Sequence, residues 1–197
     1  MDLRSRLNRT PVAYGAVGRS NDEWPDHRLR ALVTGSMLAW MRPDTVLDPA
    51  CGDGSIVRIG AGLANGIQQA VLNDVGMPNI EAMASWLPDT WESGVRDLHE
   101  TMMDERPFQV IVLTEILEHL EDPDLILRLA ANKAQRILVS SPEMRAGQVD
   151  TNPEHLWMFD GEGYETMLNE AGWKVTQKTH LTFRSEYDFQ IYVADRP

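Results

Sequence analysis

The sequence predicts a single α/β domain built on a seven-stranded, mostly parallel sheet with helices on both faces and a C-terminal antiparallel hairpin. Two observations lead to this prediction. Strand-like and helix-like segments alternate five times between residues 26 and 172, and such alternation builds a parallel sheet covered by helices. Two later strand-like segments, 174–183 and 187–194, are separated by only three residues, which is typical of an antiparallel hairpin.

The chain is predicted to begin with an arm or lid, residues 1–25, followed by the domain at 26–197. The first 20 residues are basic, with four arginines against one aspartate. Gly15 and Gly18 would give hinge freedom to a lid that closes over a cleft with Tyr14 and excludes water. A disordered tail is the alternative interpretation of this segment.

Five helices are predicted from capping residues and apolar periodicity. Asp26, Asp122 and Asp160 are placed to cap three of them, and Pro78 and Pro123 stand where a first turn tolerates proline. The predicted core-facing residues are Leu29, Leu32, Val33, Met37, Trp40 and Met41 in the first helix, Ile56, Ile59 and Leu63 in the second, Ile80, Met83, Ala84 and Leu87 in the third, Leu125, Ile126, Leu129 and Ala130 in the fourth, and Met167, Leu168 and Ala171 in the fifth.

The strands of the parallel sheet are short apolar runs. The clearest run, 110–113, consists of four aliphatic residues, as expected for a strand buried on both faces. A first strand begins at Thr45, and the others are predicted at 69–75, 95–98 and 136–140. Residues 115–120 are predicted to form a turn or a short helix.

Composition limits the possible functions. The 197 residues include 30 acidic and 18 basic side chains, for a formal charge of −12, which argues against a protein that grips nucleic acid with its whole surface. The single cysteine, Cys51, excludes an intrachain disulfide and a cysteine-based metal cage. The polar start and the lack of an apolar run of roughly 20 residues lead us to expect a cytoplasmic protein without membrane association.

The clearest chemical signal is a glycine-bearing turn, residues 48–54, with the sequence Asp-Pro-Ala-Cys-Gly-Asp-Gly. Gly52 and Gly54 would let the backbone approach a ligand closely, although the turn matches neither the dinucleotide fingerprint nor a phosphate-binding loop. Twenty residues later Asp74 ends the next strand, where an acid can accept hydrogen bonds from both hydroxyls of a ribose. The pair predicts a nucleoside-binding site, the alternative being a tight turn without a ligand.

Three segments in this order resemble class I S-adenosylmethionine-dependent methyltransferases: 47–54, 73–74 and 112–123. The third contains Glu-x-x-Glu-His-x-x-Asp-Pro and is closest to the subgroup with that signature, whose tail also resembles 153–159 and 168–173. The resemblance covers residues 40–195 and implies a Rossmann-like class I methyltransferase fold with S-adenosylmethionine as cofactor.

The resemblance also implies which residues contact the cofactor. Asp48 would lie near its amino group, and Asp74 would hold its ribose hydroxyls. Gly52 and Gly54 would lie under its methionine part. The full implied set is Asp48, Ala50, Gly52, Gly54, Asp74, Val75, Asp97, Leu98, Thr114 and Glu115, of which Asp97 and Leu98 would face adenine and the last two would line the methyl-transfer cleft.

One position departs from the family pattern. Ala50 stands where many members have glycine, and Ala-Cys-Gly is also seen in DNA amino-methyltransferases. Those enzymes carry Asp/Asn-Pro-Pro-Tyr after the fourth strand, where this chain has the residues Thr-Glu-Ile-Leu at 114–117. Methylation of an amino group on a DNA base is therefore disfavoured.

The signature also suggests two uses for its acids and histidines. Glu115, Glu118 and His119 would share one face of a helical turn, and with His155 they would form a mixed oxygen and nitrogen site for Mg²⁺ or Mn²⁺. Small-RNA 2′-O-methyltransferases and ubiquinone-pathway O-methyltransferases show a similar pattern. In the alternative without metal, the two carboxylates are solvated or capping groups and His119 packs against the cofactor. His119 or His155 would then serve as general base, and these histidines with Glu115 form the predicted catalytic set.

The predicted function is methyl transfer to an oxygen or nitrogen of a small-molecule acceptor, whose pocket we expect from 1–25 and 143–159. The charge disfavours a polyanionic acceptor. Three alternatives remain open: an RNA or nucleotide 2′-O-methyltransferase that uses a divalent metal, a non-catalytic protein that binds the nucleoside cofactor, and an unrelated nucleotide-dependent enzyme such as a nicotinamide dehydrogenase. The sequence identifies neither the acceptor nor the oligomeric state.

Overall fold

The computed structural model describes residues 4–11, 25–145, 148–183 and 188–197. The strands are β1 (Arg4–Arg6), β2 (Thr45–Asp48), β3 (Gln69–Asp74), β4 (Glu92–Val95), β5 (Phe108–Thr114), β6 (Ala134–Glu143), β7 (Trp157–Phe159), β8 (Lys174–Leu181) and β9 (Asp188–Asp195). The helices are α1 (Pro25–Met41), α2 (Ser55–Ala64), α3 (Met77–Met83), α4 (Leu98–Met103), α5 (Pro123–Ala131) and α6 (Gly161–Glu170), with a 3₁₀ turn at Leu117–His119.

The predicted seven-stranded, mostly parallel sheet is confirmed. Its order is β4-β3-β2-β5-β6-β9-β8. Only β9 runs against the others, because it pairs antiparallel with both β6 and β8. The strand order reverses between β2 and β5, so the carboxyl ends of these strands flank the crevice where ligands bind in open α/β sheets.

Helices cover both faces of the sheet, as predicted. One buried cluster joins the sheet to α5 and α6 through residues such as Ile126 and Tyr164. The other joins it to α1, α2 and α3 through residues such as Leu38, Ile56 and Met83. Asp122 and Asp160 cap their helices as predicted, accepting from the backbone N–H groups of Leu125 and Gly163 respectively.

Helix α1 forms where it was predicted, but its predicted inner face is correct only in part. Met37 is buried, and Val33 and Met41 pack against the core, whereas Leu29, Leu32 and Trp40 are exposed. The other buried residues were not predicted: Arg30, Ala31, Thr34, Gly35 and Leu38. Small residues face inward because α1 lies very close to α2: a Cβ on Gly35 would lie 2.6 Å from Ile59 Cγ2. Close approach of two helices decided this face rather than maximal hydrophobicity.

Other element boundaries also differ from the predictions. The third strand lies at Glu92–Val95 rather than 95–98, because the Asp97 carboxylate caps α4 by accepting from the His99 N–H. Helix α3 ends at Met83, before Leu87. Leu63 is 63 % exposed and Leu125 is 36 % exposed, since both lie on the solvent side of short helices.

Strand β1 was not predicted. It pairs antiparallel with β7, Arg4 opposite Phe159 and Arg6 opposite Trp157, so part of the basic arm forms a two-stranded sheet with a distant segment. Tyr14, Gly15 and Gly18, on which the lid hypothesis depends, lie outside the described residues. Within the described ranges, no helix combines the length and apolarity that crossing a membrane requires.

Candidate functional site

The glycine-bearing turn is tied to the end of the neighbouring strand. The Gly52 N–H donates to Asp74 Oδ2 at 2.9 Å, and the Cys51 N–H donates to the Asn73 carbonyl at 2.9 Å. Gly52 and Gly54 have φ of +55° and +70°, a region that glycine enters without steric cost. The structure therefore brings the two predicted halves of the nucleoside site, the turn and Asp74, into direct contact.

The two glycines have different surroundings. A Cβ at Gly52 would meet no described residue within 4 Å, whereas a Cβ at Gly54 would lie 2.5 Å from Met83 Sδ and 2.8 Å from a ring carbon of Trp86. Among the described residues, Gly52 thus borders open space that a ligand can enter. Gly54 allows the α3 region to pack onto the turn.

Asp48 is a buried acid at the end of β2. Its side chain is 1 % exposed, and neither carboxylate oxygen has a hydrogen-bond partner among the described residues. Burial raises the pKa of Asp48 to about 8, although the nearby Ala50 N–H opposes this rise. A cation placed beside Asp48 would be strongly favoured there.

Asp74 is held in place by its own loop. Its Oδ1 accepts from the Gly76 N–H at 2.7 Å and from Asn79 Nδ2 at 3.0 Å. Asn79 is 8 % exposed and was missed by the sequence analysis, because a single asparagine in a helix carries no motif. Val75, the next residue of the predicted cofactor set, is partly exposed beside it.

The predicted adenine-contacting residues follow the adjacent strand. Val95 pairs with Asp74, and the Arg96 N–H donates to the Asp74 carbonyl at 3.0 Å. Asp97 is exposed and Leu98 is buried at the start of α4. Both therefore lie at the same edge of the sheet as the glycine-bearing turn.

Glu115 follows Thr114 at the carboxyl end of β5 and has a φ of +53°, which is uncommon for a residue other than glycine. Such strained positions outside helix ends cluster at functional sites. Ser140 Oγ donates to Glu115 Oε1 at 2.7 Å, and Arg30 Nε lies 3.9 Å from the same oxygen. Arg30 is 4 % exposed. The sequence analysis missed it because it assigned α1 an apolar inner face.

Glu118, His119 and His155 form a compact cluster, in which one donor atom from each lies within 4.8 Å of the others. The two imidazole rings are 4.8 Å apart, edge to face, and His119 Nε2 lies 3.9 Å from Glu118 Oε1. Glu115 was predicted as the fourth member of this set, but it is not part of the cluster, because its carboxylate is engaged by Ser140.

Hydrogen bonds set the orientation of both rings. His119 Nδ1–H donates to the Glu154 carbonyl at 3.0 Å, since a carbonyl oxygen can only accept. His155 Nδ1–H donates to Asp150 Oδ2 at 2.7 Å. Each histidine therefore has its Nε2 on the side of the ring away from its anchoring acceptor, as in metal-binding and catalytic histidines whose Nδ1 is held by an acceptor.

The acids around the cluster differ in protonation. Burial raises the pKa of Glu118 well above its ordinary value, and the nearby Glu115 charge adds to this effect. Neither Glu118 oxygen has a hydrogen-bond partner among the described residues. Burial, the largest single influence, favours neutral Asp150, but the hydrogen bonds from His155 and the Asn152 N–H and the neighbouring charges of His155 and Arg9 together outweigh it and lower its pKa. Asp150 is thus the ionised partner of His155, and the sequence analysis missed it because the two residues share no recognisable motif.

Comparison with known proteins identifies the family. The family model described as Methyltransferase domain (Methyltransf_23) matches residues 22–178. A search of curated proteins by sequence gave no significant match.

Several solved structures share the fold. Magnesium protoporphyrin IX methyltransferase (ChlM) from Synechocystis PCC 6803, with bound S-adenosylhomocysteine (SAH), has a TM-score of 0.69 and 16 % identity, covering 93 % of this chain and 91 % of that chain. The 1,6-didemethyltoxoflavin-N1-methyltransferase of Burkholderia thailandensis has a TM-score of 0.70 and 15 % identity, covering 94 % and 93 %. The [4+2]-cyclase SpnF has a TM-score of 0.69 and 14 % identity, covering 95 % and 88 %.

At these identities the structural similarity establishes the class I methyltransferase fold alone. Membership of the family is established by the family model, which matches most of the sequence. The chain therefore belongs to the methyltransferase-domain family.

Proposed function

We propose that this protein transfers a methyl group from S-adenosylmethionine to an oxygen or nitrogen of a small-molecule acceptor. The observation that carries the proposal is the contact between Gly52 and Asp74, which joins the glycine-bearing turn to the acid at the end of the next parallel strand. This is the arrangement expected of a nucleoside-binding crevice.

The residues at the crevice fit the cofactor on two counts. The open space above Gly52 accommodates a ligand against the backbone, and the buried Asp48, whose oxygens accept no hydrogen bond from a described side chain, suits the ammonium group of the methionine part. Asp74 would accept from the ribose hydroxyls, and Asp97 with Leu98 would border the adenine. When bound, the cofactor supplies a methyl group on a positively charged sulfur.

The task of this chain is then alignment and proton removal. Holding donor and acceptor in line provides much of the rate enhancement in such a transfer. The Nε2 atoms of His119 and His155 are the candidates for accepting the acceptor's proton, because both rings are anchored through Nδ1. His155 Nε2 accepts from the Asn152 side-chain amide at 3.0 Å, so it must exchange this partner before it can accept a proton.

Charge and similarity favour a small acceptor. The formal charge is −12, and three arginines of the basic segment face the protein itself: Arg4 binds Asp124, Arg6 lies over the Trp157 ring, and Arg9 binds Asp150. Two of the similar structures are of methyltransferases that are named after small molecules: magnesium protoporphyrin IX in one case and 1,6-didemethyltoxoflavin in the other. SpnF is named as a cyclase, so the reaction itself needs direct measurement.

Calorimetry with SAH tests the cofactor proposal. Native protein should bind SAH, and Asp74→Asn should weaken binding at least tenfold, because the asparagine NH₂ would face the backbone N–H of Gly52 or of Gly76 whichever way the amide is turned. Asp195→Asn is the matched control, since Asp195 binds Arg136 at the amino end of β6. A melting temperature raised by NAD but not by SAH would contradict the proposal and favour a dehydrogenase.

A divalent metal at the cluster is the second candidate, and it would support the RNA or nucleotide 2′-O-methyltransferase alternative. The donor set that favours a metal is Glu118, whose oxygens have no hydrogen-bond partner in the part of the chain that the structure describes, beside two imidazoles held through Nδ1. Imidazole and carboxylate together suit Mn²⁺ better than Mg²⁺. An ion there would bind an acceptor hydroxyl and favour its ionisation.

Thermal unfolding with MnCl₂ tests the metal. If the site binds Mn²⁺, saturation at 100 times the Kd should stabilise the protein by about 2.7 kcal/mol, and Glu118→Gln should abolish this gain. Glu121→Gln is the control, because Glu121 is exposed three residues away. Equal melting temperatures with Mn²⁺ and with chelator would remove this candidate.

A further inference from the structure

The N-terminal segment and the loop that carries His155 form one unit. We call residues 4–9 the strap and residues 150–156 the histidine loop. Strand β1 of the strap pairs with β7, which directly follows the histidine loop. The Leu7 N–H extends this pairing by donating to the Leu156 carbonyl at 2.8 Å. Two segments about 150 positions apart in sequence are thus joined by backbone hydrogen bonds.

Arg9 fastens the histidine loop at several points. Its guanidinium donates to the backbone carbonyls of Asp150, Asn152 and His155, the last at 3.1 Å. Its Nη1 also lies 3.4 Å from Asp150 Oδ1. A planar guanidinium with five donors in a fixed fork can hold several acceptors at once, whereas the compact ammonium of lysine cannot match that geometry.

The groups that Arg9 holds are those that orient His155. Asp150 Oδ2 accepts from His155 Nδ1 at 2.7 Å, and both side chains are buried. Asn152 closes the loop, because its Nδ2 faces His155 Nε2 while its Oδ1 accepts from the Glu154 N–H. The carbonyl of Glu154 in turn receives His119 Nδ1–H. A shift of this backbone would therefore move both rings of the cluster.

We propose that Arg9 is a positioning residue, which locks the histidine loop so that Asp150 holds His155 in a single tautomer facing the acceptor. The strap is then part of the acceptor site and not a dispensable tail. This inference rests on the proposed function only where it assigns His155 a role toward the acceptor. The positioning of His155 by Arg9 and Asp150 is a property of the protein without ligands.

The test is NMR of full-length protein labelled with ¹⁵N-histidine. The native protein should show a protected His155 Nδ1–H resonance, assigned by its loss in His155→Gln. In Arg9→Gln the exchange of this proton with water should accelerate at least tenfold. Arg9→Lys, which keeps the charge, should show most of the same acceleration, because one ammonium cannot replace the fork. Added ethylguanidinium should restore protection in Arg9→Ala.

Arg4→Gln is the matched control, since Arg4 lies in the same strap but binds Asp124 of α5. It should leave the His155 resonance unchanged. An Arg9→Gln spectrum identical to that of the native protein would overturn the proposal, as would an Arg4→Gln spectrum that loses the resonance equally. If Arg9→Gln does not fold, the proposal is tested with Arg9→Lys and with ethylguanidinium added to Arg9→Ala. Native-like protection of the His155 Nδ1–H in Arg9→Lys, or no recovery of protection with ethylguanidinium, would overturn it.

SAH calorimetry on these variants separates this inference from the proposed function. Arg9→Gln should bind SAH within twofold of the native affinity. Arg9 contacts the histidine loop, whereas the glycine-bearing turn of the predicted cofactor site lies elsewhere, directly after β2. Failure of the native protein to bind SAH would contradict the proposed function, whereas the NMR result alone would still decide the role of Arg9.

Discussion

The two halves of the candidate site are built in different ways. The cofactor half, residues 48–54 and 73–79, comes from two adjacent parallel strands and is held by backbone N–H groups donating to Asp74. The acceptor half combines Glu115, the Glu118–His119–His155 cluster and Arg9, and it is held by side chains from distant parts of the chain. The cofactor half is therefore built from neighbouring segments, whereas the acceptor half depends on contacts between segments that are far apart in sequence.

From this difference we expect the two halves to tolerate sequence variation unequally. The backbone of the cofactor half depends on φ values that only certain residues adopt, so its sequence is constrained at fixed spacing. The acceptor half requires only that a cationic side chain, a carboxylate and an imidazole come into contact in the folded protein. Many different sequences can satisfy this requirement. Family members with one cofactor can therefore present different acceptor pockets on the same sheet.

The largest expected effect concerns Asp48 in the cofactor half. Folded Asp48 keeps its proton to about pH 8, whereas the ordinary value is 3.8. Folding therefore takes up a proton between these pH values, and stability falls as the pH rises through them. At about 1.36 kcal/mol per pH unit the loss is on the order of 5 kcal/mol.

Urea unfolding of native protein and Asp48→Asn at pH 5, 6.5 and 8 measures this effect. As the pH rises, the native protein should lose stability and Asp48→Asn should not, so the free energy of unfolding of the variant should increase relative to that of the native protein. Parallel curves for the two proteins would show that Asp48 ionises normally and would weaken the contrast between the halves.

The next effect separates two glycines of the same region. Gly54→Ala should lower the free energy of unfolding by about 2–4 kcal/mol, since a Cβ there requires a left-handed backbone and overlaps Met83 and Trp86. It should also weaken SAH binding. Gly62→Ala is the control within α2, where a Cβ meets nothing and alanine should stabilise the helix by up to about 1 kcal/mol. Equal unfolding curves for both variants would contradict the packing role of Gly54.

The smallest effect is expected in the acceptor half. Trp157 Nε1–H donates to the Leu120 carbonyl at 2.8 Å, and the ring lies under the Arg4 guanidinium. Trp157→Phe should lower the free energy of unfolding by about 1 kcal/mol and leave SAH affinity unchanged. Trp40→Phe, at a position 73 % exposed, should change it by less than about 0.5 kcal/mol. A loss of SAH affinity in Trp157→Phe would show that the halves are coupled.

The sheet, its hairpin and the cofactor half could be predicted because their signals are local. An apolar run such as 110–113 indicates a buried strand by itself, and a glycine-bearing turn followed by Asp74 marks a crevice within 27 residues. The inner face of α1 could not be predicted, since close helix packing at Gly35 outweighed the apolar residues. Arg9, Arg30 and Asp150 were missed for a related reason: each matters through partners that only the tertiary structure brings near.

The pairing of β1 with β7 has a consequence for biosynthesis. Residues 4–6 are synthesised about 150 residues ahead of their partners at 157–159. At roughly 5–20 residues per second, β1 is therefore made about 8–30 s before β7. The strands at the nucleoside crevice, β2, β3 and β5, all end before residue 115, so they can pair on the nascent chain before β1 pairs with β7.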